Sequence, residues 1–180
     1  MGAIQAMDNV YYVGVQDKDL RVFDIIMPSD YGTSYNSYLV RGSEKTALFE
    51  TCKLEFWDEY IANIREVCDP SEIDYIVVNH TEPDHAGCME RLLELAPNAK
   101  VLGSSTALTF LKEIVNHPFP SQAVTEADQI DLGGLTLTFL SVPFLHWPDS
   151  MYTYIPELKA LFSCDSFGCH YADDRVFNDL

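Results

Sequence analysis

His80-Thr81-Glu82-Pro83-Asp84-His85 sets four side chains able to bind a metal within six residues. Imidazole nitrogens and carboxylate oxygens clustered this tightly suit a first-row transition ion better than calcium or magnesium. Two further candidates lie far downstream. One is His146, in Pro143-Phe144-Leu145-His146-Trp147-Pro148-Asp149, and the other is Asp165, in Cys164-Asp165-Ser166-Phe167-Gly168. Read singly, His146 is an ordinary loop histidine and Asp165 an ordinary turn residue. Each of the three segments, however, follows an apolar run with the character of a buried strand. Strand ends on one rim, all bearing His or a carboxylate, are how a sheet assembles a metal site.

The elements that must position these residues can be read from the pattern. Val10 to Val15, Arg21 to Ile26, Tyr35 to Val40 and Thr46 to Phe49 are β-branched and aromatic runs separated by turn-forming residues. From Leu54 to Val67 the apolar spacing becomes helical, and Asp69-Pro70 closes that segment. Tyr75 to Val78 is the strand that delivers the histidine cluster. A helix is expected from about Met89 to Leu95, a strand at Lys100 to Leu102, and a helix opened by Ser104-Ser105 that ends near Val115. Strands then return at Ala123 to Thr125, Gln129 to Leu132, Leu135 to Val142, Met151 to Ile155 and Leu161 to Ser163, with Gly133-Gly134 as a tight hairpin turn. Strands, then helix-strand-helix, then more strands predict an α/β protein with two packed sheets and helices outside them, rather than a repeating βαβ unit.

Composition sets the class. At 180 residues the chain is one folding unit, or part of one, with an ordinary 47% apolar and 22% charged content. The net charge of −17 argues against nucleic-acid or anionic-membrane partners, which need clustered Lys and Arg. Metal cations held by carboxylates would offset part of it. No secretory signal and no apolar run near bilayer length is visible. The five cysteines form no C-x-x-C pair and read as reduced thiols of a cytoplasmic protein, several of them small core residues.

The motif His80-x-Glu82-x-Asp84-His85, with Leu145-His146-Trp147-Pro148-Asp149-Ser150-Met151 and Phe162-Ser163-Cys164-Asp165-Ser166-Phe167-Gly168, resembles the metallo-β-lactamase superfamily. More narrowly these blocks resemble the flavodiiron proteins, also called A-type flavoproteins. Gly32 to Val40 is similar to an early strand of that family. The resemblance runs through nearly the whole chain and implies an αββα two-sheet sandwich. One iron would take His80, Glu82 and His146, the other Asp84 and His85, with Asp165 bridging. His85 is the least secure of the six, since its counterpart stands off the metal in some members. The hydrolytic branch of the superfamily has His where this chain has Glu82. Three carboxylates for two metals make a harder, more anionic site that suits iron cycling between oxidation states, whereas zinc does hydrolysis. The runner-up readings are a binuclear zinc hydrolase of the same fold and an inactive metal-binding fragment.

The resemblance further implies reduction of O2 to water, or of NO to N2O, with electrons from FMN that is itself reduced by rubredoxin or a similar donor. In the family the FMN of one subunit faces the irons of the other, in a head-to-tail homodimer. One more histidine and a flavodoxin-like FMN domain would lie beyond Leu180, so residues 1–180 are expected to be the N-terminal portion of a larger enzyme. Alone they are expected to fold poorly or to expose a large apolar face. His170 is too close to Asp165 to be the missing ligand, and His117 reads as a helix-end histidine. Trp147, Phe144 and Phe167 are candidates for a dry wall around the metals.

Overall fold

The computed structural model describes residues 2–177. Its centre is a seven-stranded sheet. In chain order the first eleven strands are β1 (Ile4–Met7), β2 (Val10–Tyr12), β3 (Val15–Asp17), β4 (Val22–Phe23), β5 (Met27–Pro28), β6 (Thr33–Tyr35), β7 (Tyr38–Arg41), β8 (Thr46–Phe49), β9 (Tyr75–Val78), β10 (Lys100–Gly103) and β11 (Ser121–Ala123), of which β3 with β6 and β4 with β5 form separate two-stranded ribbons. The sheet runs β1-β2-β7-β8-β9-β10-β11, antiparallel as far as β8 and parallel from β8 onward. Helices α1 (Trp57–Val67), α2 (Pro83–Ala86), α3 (Met89–Leu95) and α4 (Ser105–Ile114) supply the crossovers that parallel neighbours require. A second, antiparallel meander follows: β12 (Gln129–Asp131), β13 (Thr136–Ser141), β14 (Met151–Ile155) and β15 (Ala160–Phe162).

Period-two alternation sorts the large sheet's side chains into two cores. Leu39, Leu48, Ile76, Val78 and Val101 pack with Tyr60, Ile64, Leu92 and Leu111 from the helices. Val40, Ala47, Phe49, Val77 and Leu102 face the other way, onto Leu137, Phe139, Met151 and Ile155 of the second sheet. The layers are therefore helices, large sheet, small sheet, and the two-sheet α/β architecture expected from the sequence is present. Among the described residues no helix enters the core between the sheets, and none is long and apolar enough to cross a membrane.

Three strands expected as continuous are broken, each for a physical reason. Val10 to Val15 divides at Gly14, where a Cβ would lie 2.2 Å from the Tyr35 carbonyl oxygen. The facing run Tyr35 to Val40 divides opposite, and Asn63 of α1 donates its Nδ2 to the freed Gly14 carbonyl at 2.9 Å. Arg21 to Ile26 contains a reversal instead: Asp24 and Ile25 adopt φ of 46° and 72°, and only Val22 and Phe23 pair, with Met27 and Pro28. β1, turned by Asn9 at φ 64°, is an additional edge strand. The last parallel strand falls at Ser121–Ala123, slightly earlier than expected. At the expected Gly133-Gly134 hairpin both glycines have positive φ, 86° and 84°, as a type I′ turn demands.

Candidate metal centre

Four strand ends meet at one rim. β8 runs into Glu50, β9 into Asn79 and His80, and β15 into Asp165, while His146 hangs in the loop between β13 and β14. Pro83 opens α2 at its first turn, where a missing N–H does no harm, and that short helix presents Asp84 and His85. The sequence cluster therefore sits partly on a helical turn rather than wholly on a loop.

The six candidate residues fall into two donor groups that share Asp165. His80, Glu82, His146 and Asp165 form one, and Asp84, His85 and Asp165 form the other, with the donor atoms of each group within 4.8 Å of one another. Glu82 Oε2 lies 3.2 Å from both His80 Nε2 and His146 Nε2. Asp165 Oδ2 is 3.4 Å from His146 Nε2 and 3.9 Å from His80 Nε2. Its other oxygen, Oδ1, is 2.7 Å from His85 Nε2, which in turn is 3.6 Å from Asp84 Oδ2. One carboxylate thus turns an oxygen toward each group.

The electrostatics of this arrangement call for cations. Burial opposes charging His80, but hydrogen bonds to Asp149 and Glu82 outweigh it and raise the imidazole to about 10. His85, likewise opposed by burial, is raised to about 9 beside Asp165 and Asp84. Glu82 is held down at about 2, chiefly by His80. Protons here stand in for the positive charge that a metal would bring. Asp84 is pushed up by burial, and among the described residues its buried Oδ1 has no hydrogen-bond partner. A buried lone pair in a cluster of three imidazole N and several O donors fits a transition ion well.

Two carboxylates behind the cluster were not singled out from the sequence. Asp149, fully buried, lies 3.2 Å from His80 Nδ1 and accepts from Thr81 N–H at 2.8 Å and Thr81 Oγ1 at 2.7 Å. It orients the imidazole so that Nε2 faces Glu82. Glu50 accepts from the Asn79 N–H at 2.8 Å through Oε1, while Oε2 stands 3.8 Å from His85 Nδ1. Among the described residues neither of those last two atoms has a hydrogen-bond partner, and their electrostatic attraction at 3.8 Å favours His85 with Nε2 toward Asp84 and Asp165. Burial pushes the Glu50 carboxyl up to about 7. The signal that could have found Glu50 is the one used for His146 and Asp165, a polar residue immediately after a fully buried strand. Glu50→Gln is expected to weaken metal uptake by the Asp84–His85 group roughly 10-fold or more while sparing the other group; competitive chelator titration measures each step.

The other histidines stand outside both groups. His170 Nδ1 is 3.1 Å from Thr33 Oγ1 with its ring 4.4 Å from Phe23, and His117 is exposed at the end of α4. Of the three aromatic wall candidates, only Trp147 packs on the cluster, its ring 5.0 Å from that of His80. Phe144 and Phe167, both at positive φ (66° and 68°), are 76% and 88% exposed. A cavity of 840 Å³ opens from the cluster, lined by Glu82, Asp84, His85, His146 and Asp165 and, beyond them, by apolar residues including Phe49 and Phe162.

The chain matches the model of the ODP family beta lactamase over residues 33–179. It is 48% identical to the flavo-diiron protein FprA2 of Clostridium acetobutylicum, over 99% of this chain and 45% of that protein. It is 41% identical to the type A flavoprotein fprA of Rhodobacter capsulatus, over 99% of this chain and 42% of that one. The chain therefore spans less than half the length of these relatives. Its structure superposes on rubredoxin oxygen:oxidoreductase from Desulfovibrio gigas with a TM-score of 0.94, at 38% identity over 98% of this chain and 44% of that one. The flavodiiron protein from Giardia intestinalis gives a TM-score of 0.92 at 35% identity, covering 97% of this chain and 42% of that one. Sequence, fold and the match over most of its length agree: the chain belongs to the ODP beta-lactamase family, as the metallo-β-lactamase-like part of a flavodiiron protein.

Proposed function

We propose that residues 1–180 supply the iron-binding part of a flavodiiron oxidoreductase that reduces O2 to water, NO to N2O, or both. His80, Glu82 and His146 would hold one iron, Asp84 and His85 the other, and Asp165 would bridge them. The observation that carries this reading is Asp165, whose two oxygens face the two donor groups at 2.7 Å and 3.4 Å. When bound, the iron pair supplies the electrons' last station and the docking point for the gas. The chain's own residues set the conditions. Glu82, Asp84 and Asp165 concentrate negative charge where a ferric state needs it. Asp149 and Glu50 fix the two buried imidazoles, and Trp147 covers His80 against water.

FMN would come from a flavodoxin-like domain outside these residues, and electrons from rubredoxin or a similar small donor. The name of the Desulfovibrio gigas neighbour supports that donor class. A head-to-tail homodimer would bring the partner's flavin to the cavity mouth. In support, Ile25 and Phe167, next in sequence to the cavity residues Asp24 and Gly168, are almost fully exposed, as apolar groups awaiting a covering surface are.

Anaerobic purification followed by metal analysis tests the reading. Two irons per chain are expected when the chain is extended to the length of its relatives, and that extended chain should consume O2 or NO when given reduced flavin. Two zincs with ester or lactone hydrolysis would overturn it in favour of a hydrolase. Because His80 and His85 hold protons to about 10 and 9 without metal, loading must displace them. Iron affinity should therefore rise with pH through the neutral range, which equilibrium dialysis at several pH values measures.

A further inference from the structure

We propose that Cys52 and Cys88 are an oxidisable dithiol that a hydroperoxide converts to an intramolecular disulfide, pinning the turn that carries Asp84 and His85 to the exit of β8. The two sulfurs lie 3.7 Å apart, and both cysteines are fully buried. The backbone already holds them in register. Cys88 N–H donates to the Cys52 carbonyl at 3.0 Å, and Thr51 donates its N–H and its hydroxyl to the His85 carbonyl at 2.6 and 2.8 Å. Gly87 permits this close approach, since a Cβ there would meet the Pro83 oxygen at 2.5 Å and the Cys52 oxygen at 3.1 Å. A disulfide needs the sulfurs about 1.7 Å closer, a distance that side-chain rotation covers once the backbones are paired.

The proton arrangement favours one order of events. The two thiols share a hydrogen bond in which either sulfur can donate, and with Cys52 as donor it lowers the Cys88 thiol and, with burial, raises that of Cys52. Cys88 sulfur attacks the peroxide O–O bond, becomes a sulfenic acid and releases an alcohol, or water from hydrogen peroxide. Cys52 sulfur, giving up its proton, then displaces the sulfenic oxygen as water and forms the S–S bond. Two electrons pass from the sulfur pair to one peroxide. A surface hollow of 430 Å³ lined by Lys53 and Gly87, the residues next in sequence to Cys52 and Cys88, lies over the turn and would admit the peroxide when the turn opens.

The test is treatment of the reduced, native full chain with hydrogen peroxide, followed by intact mass, thiol titration in denaturant and peptide mapping. The expected result is loss of the mass of two hydrogens, a fall from five free thiols to three, and one linked peptide joining Cys52 to Cys88. Amide exchange across residues 83–88 should slow, and Cys88→Ser should abolish the link while leaving Cys52 a thiol. Five thiols after exhaustive treatment would overturn the proposal. So would a link made only through Cys164 or Cys169, or accumulation of a sulfinic acid at Cys88 with no link.

Discussion

Asp165→Asn is expected to reduce bound iron from two per chain to one or none, with little change in the stability of the metal-free chain. The wild-type carboxylate offers Oδ1 to the His85 side at 2.7 Å and Oδ2 to the His146 side at 3.4 Å. An amide of the same shape keeps one oxygen but turns an NH2 donor toward the other group, and it removes a negative charge. One metal then loses an anionic ligand outright. That loss should exceed the roughly 10–100-fold in affinity that removing an outer partner of a ligand costs. With the amide oxygen turned to the buried His85 Nε2 and the NH2 toward the half-exposed His146, no deeply buried donor is stranded, so the melting temperature without metal should fall only modestly. Iron analysis and chelator competition measure the first effect, and thermal unfolding of the metal-free chain measures the second. Retention of two irons at wild-type affinity would remove Asp165 from its bridging role.

The second large effect is expected at Asp149, where stability and metal binding fall together. Asp149→Ala strips the acceptor from His80 Nδ1, from Thr81 N–H and from Thr81 Oγ1, all in a fully buried setting. Each stranded buried donor costs about 1–3 kcal/mol, so a total loss of about 3–9 kcal/mol is expected from the three, together with roughly 10–100-fold weaker iron binding through a freed His80. Asp149→Asn separates the two effects. Its remaining oxygen still serves Thr81, but its amide nitrogen cannot accept from His80, so stability is largely kept while iron affinity drops. Without metal, the sign of the pH dependence follows from His80. Its imidazole is raised from 6.5 to about 10 in the folded chain, so the pair's contribution is full below 6.5 and is lost as pH climbs through about 10. The stability gap between wild type and Asp149→Ala in urea should narrow over that window.

How much of this was legible beforehand depended on how local the cause was. β8, β9 and β14 fall where β-branched and aromatic runs put them, and α1, α3 and α4 begin and end within a residue or two of their periodic apolar faces or of the Ser104 cap. The elements misread were those whose fate lies with a distant neighbour. Gly14 breaks a strand because the Tyr35 carbonyl occupies the space of a Cβ, and nothing near Gly14 in the sequence says so. The exposure of Phe144 and Phe167 is likewise set by how their loops lie on the fold rather than by residue type. Apolar character alone reads such residues as inside.

The amino-acid sequence by itself determined the kind of chemistry available: which side chains can bind a transition metal, that most of them end apolar strands, and that Glu82 tips the donor set toward oxygen. These are properties of single side chains and their immediate neighbours. Only the tertiary structure decided which atoms face one another. Asp165 divides its two oxygens between donor groups, Glu50 stands behind His85, and Cys52 lies against Cys88, across 80, 35 and 36 residues of chain respectively. Such pairings depend on the register of the parallel strands and on how the second sheet packs over Phe49 and Val77. A shift of one residue in either would turn these side chains to the opposite face of the sheet.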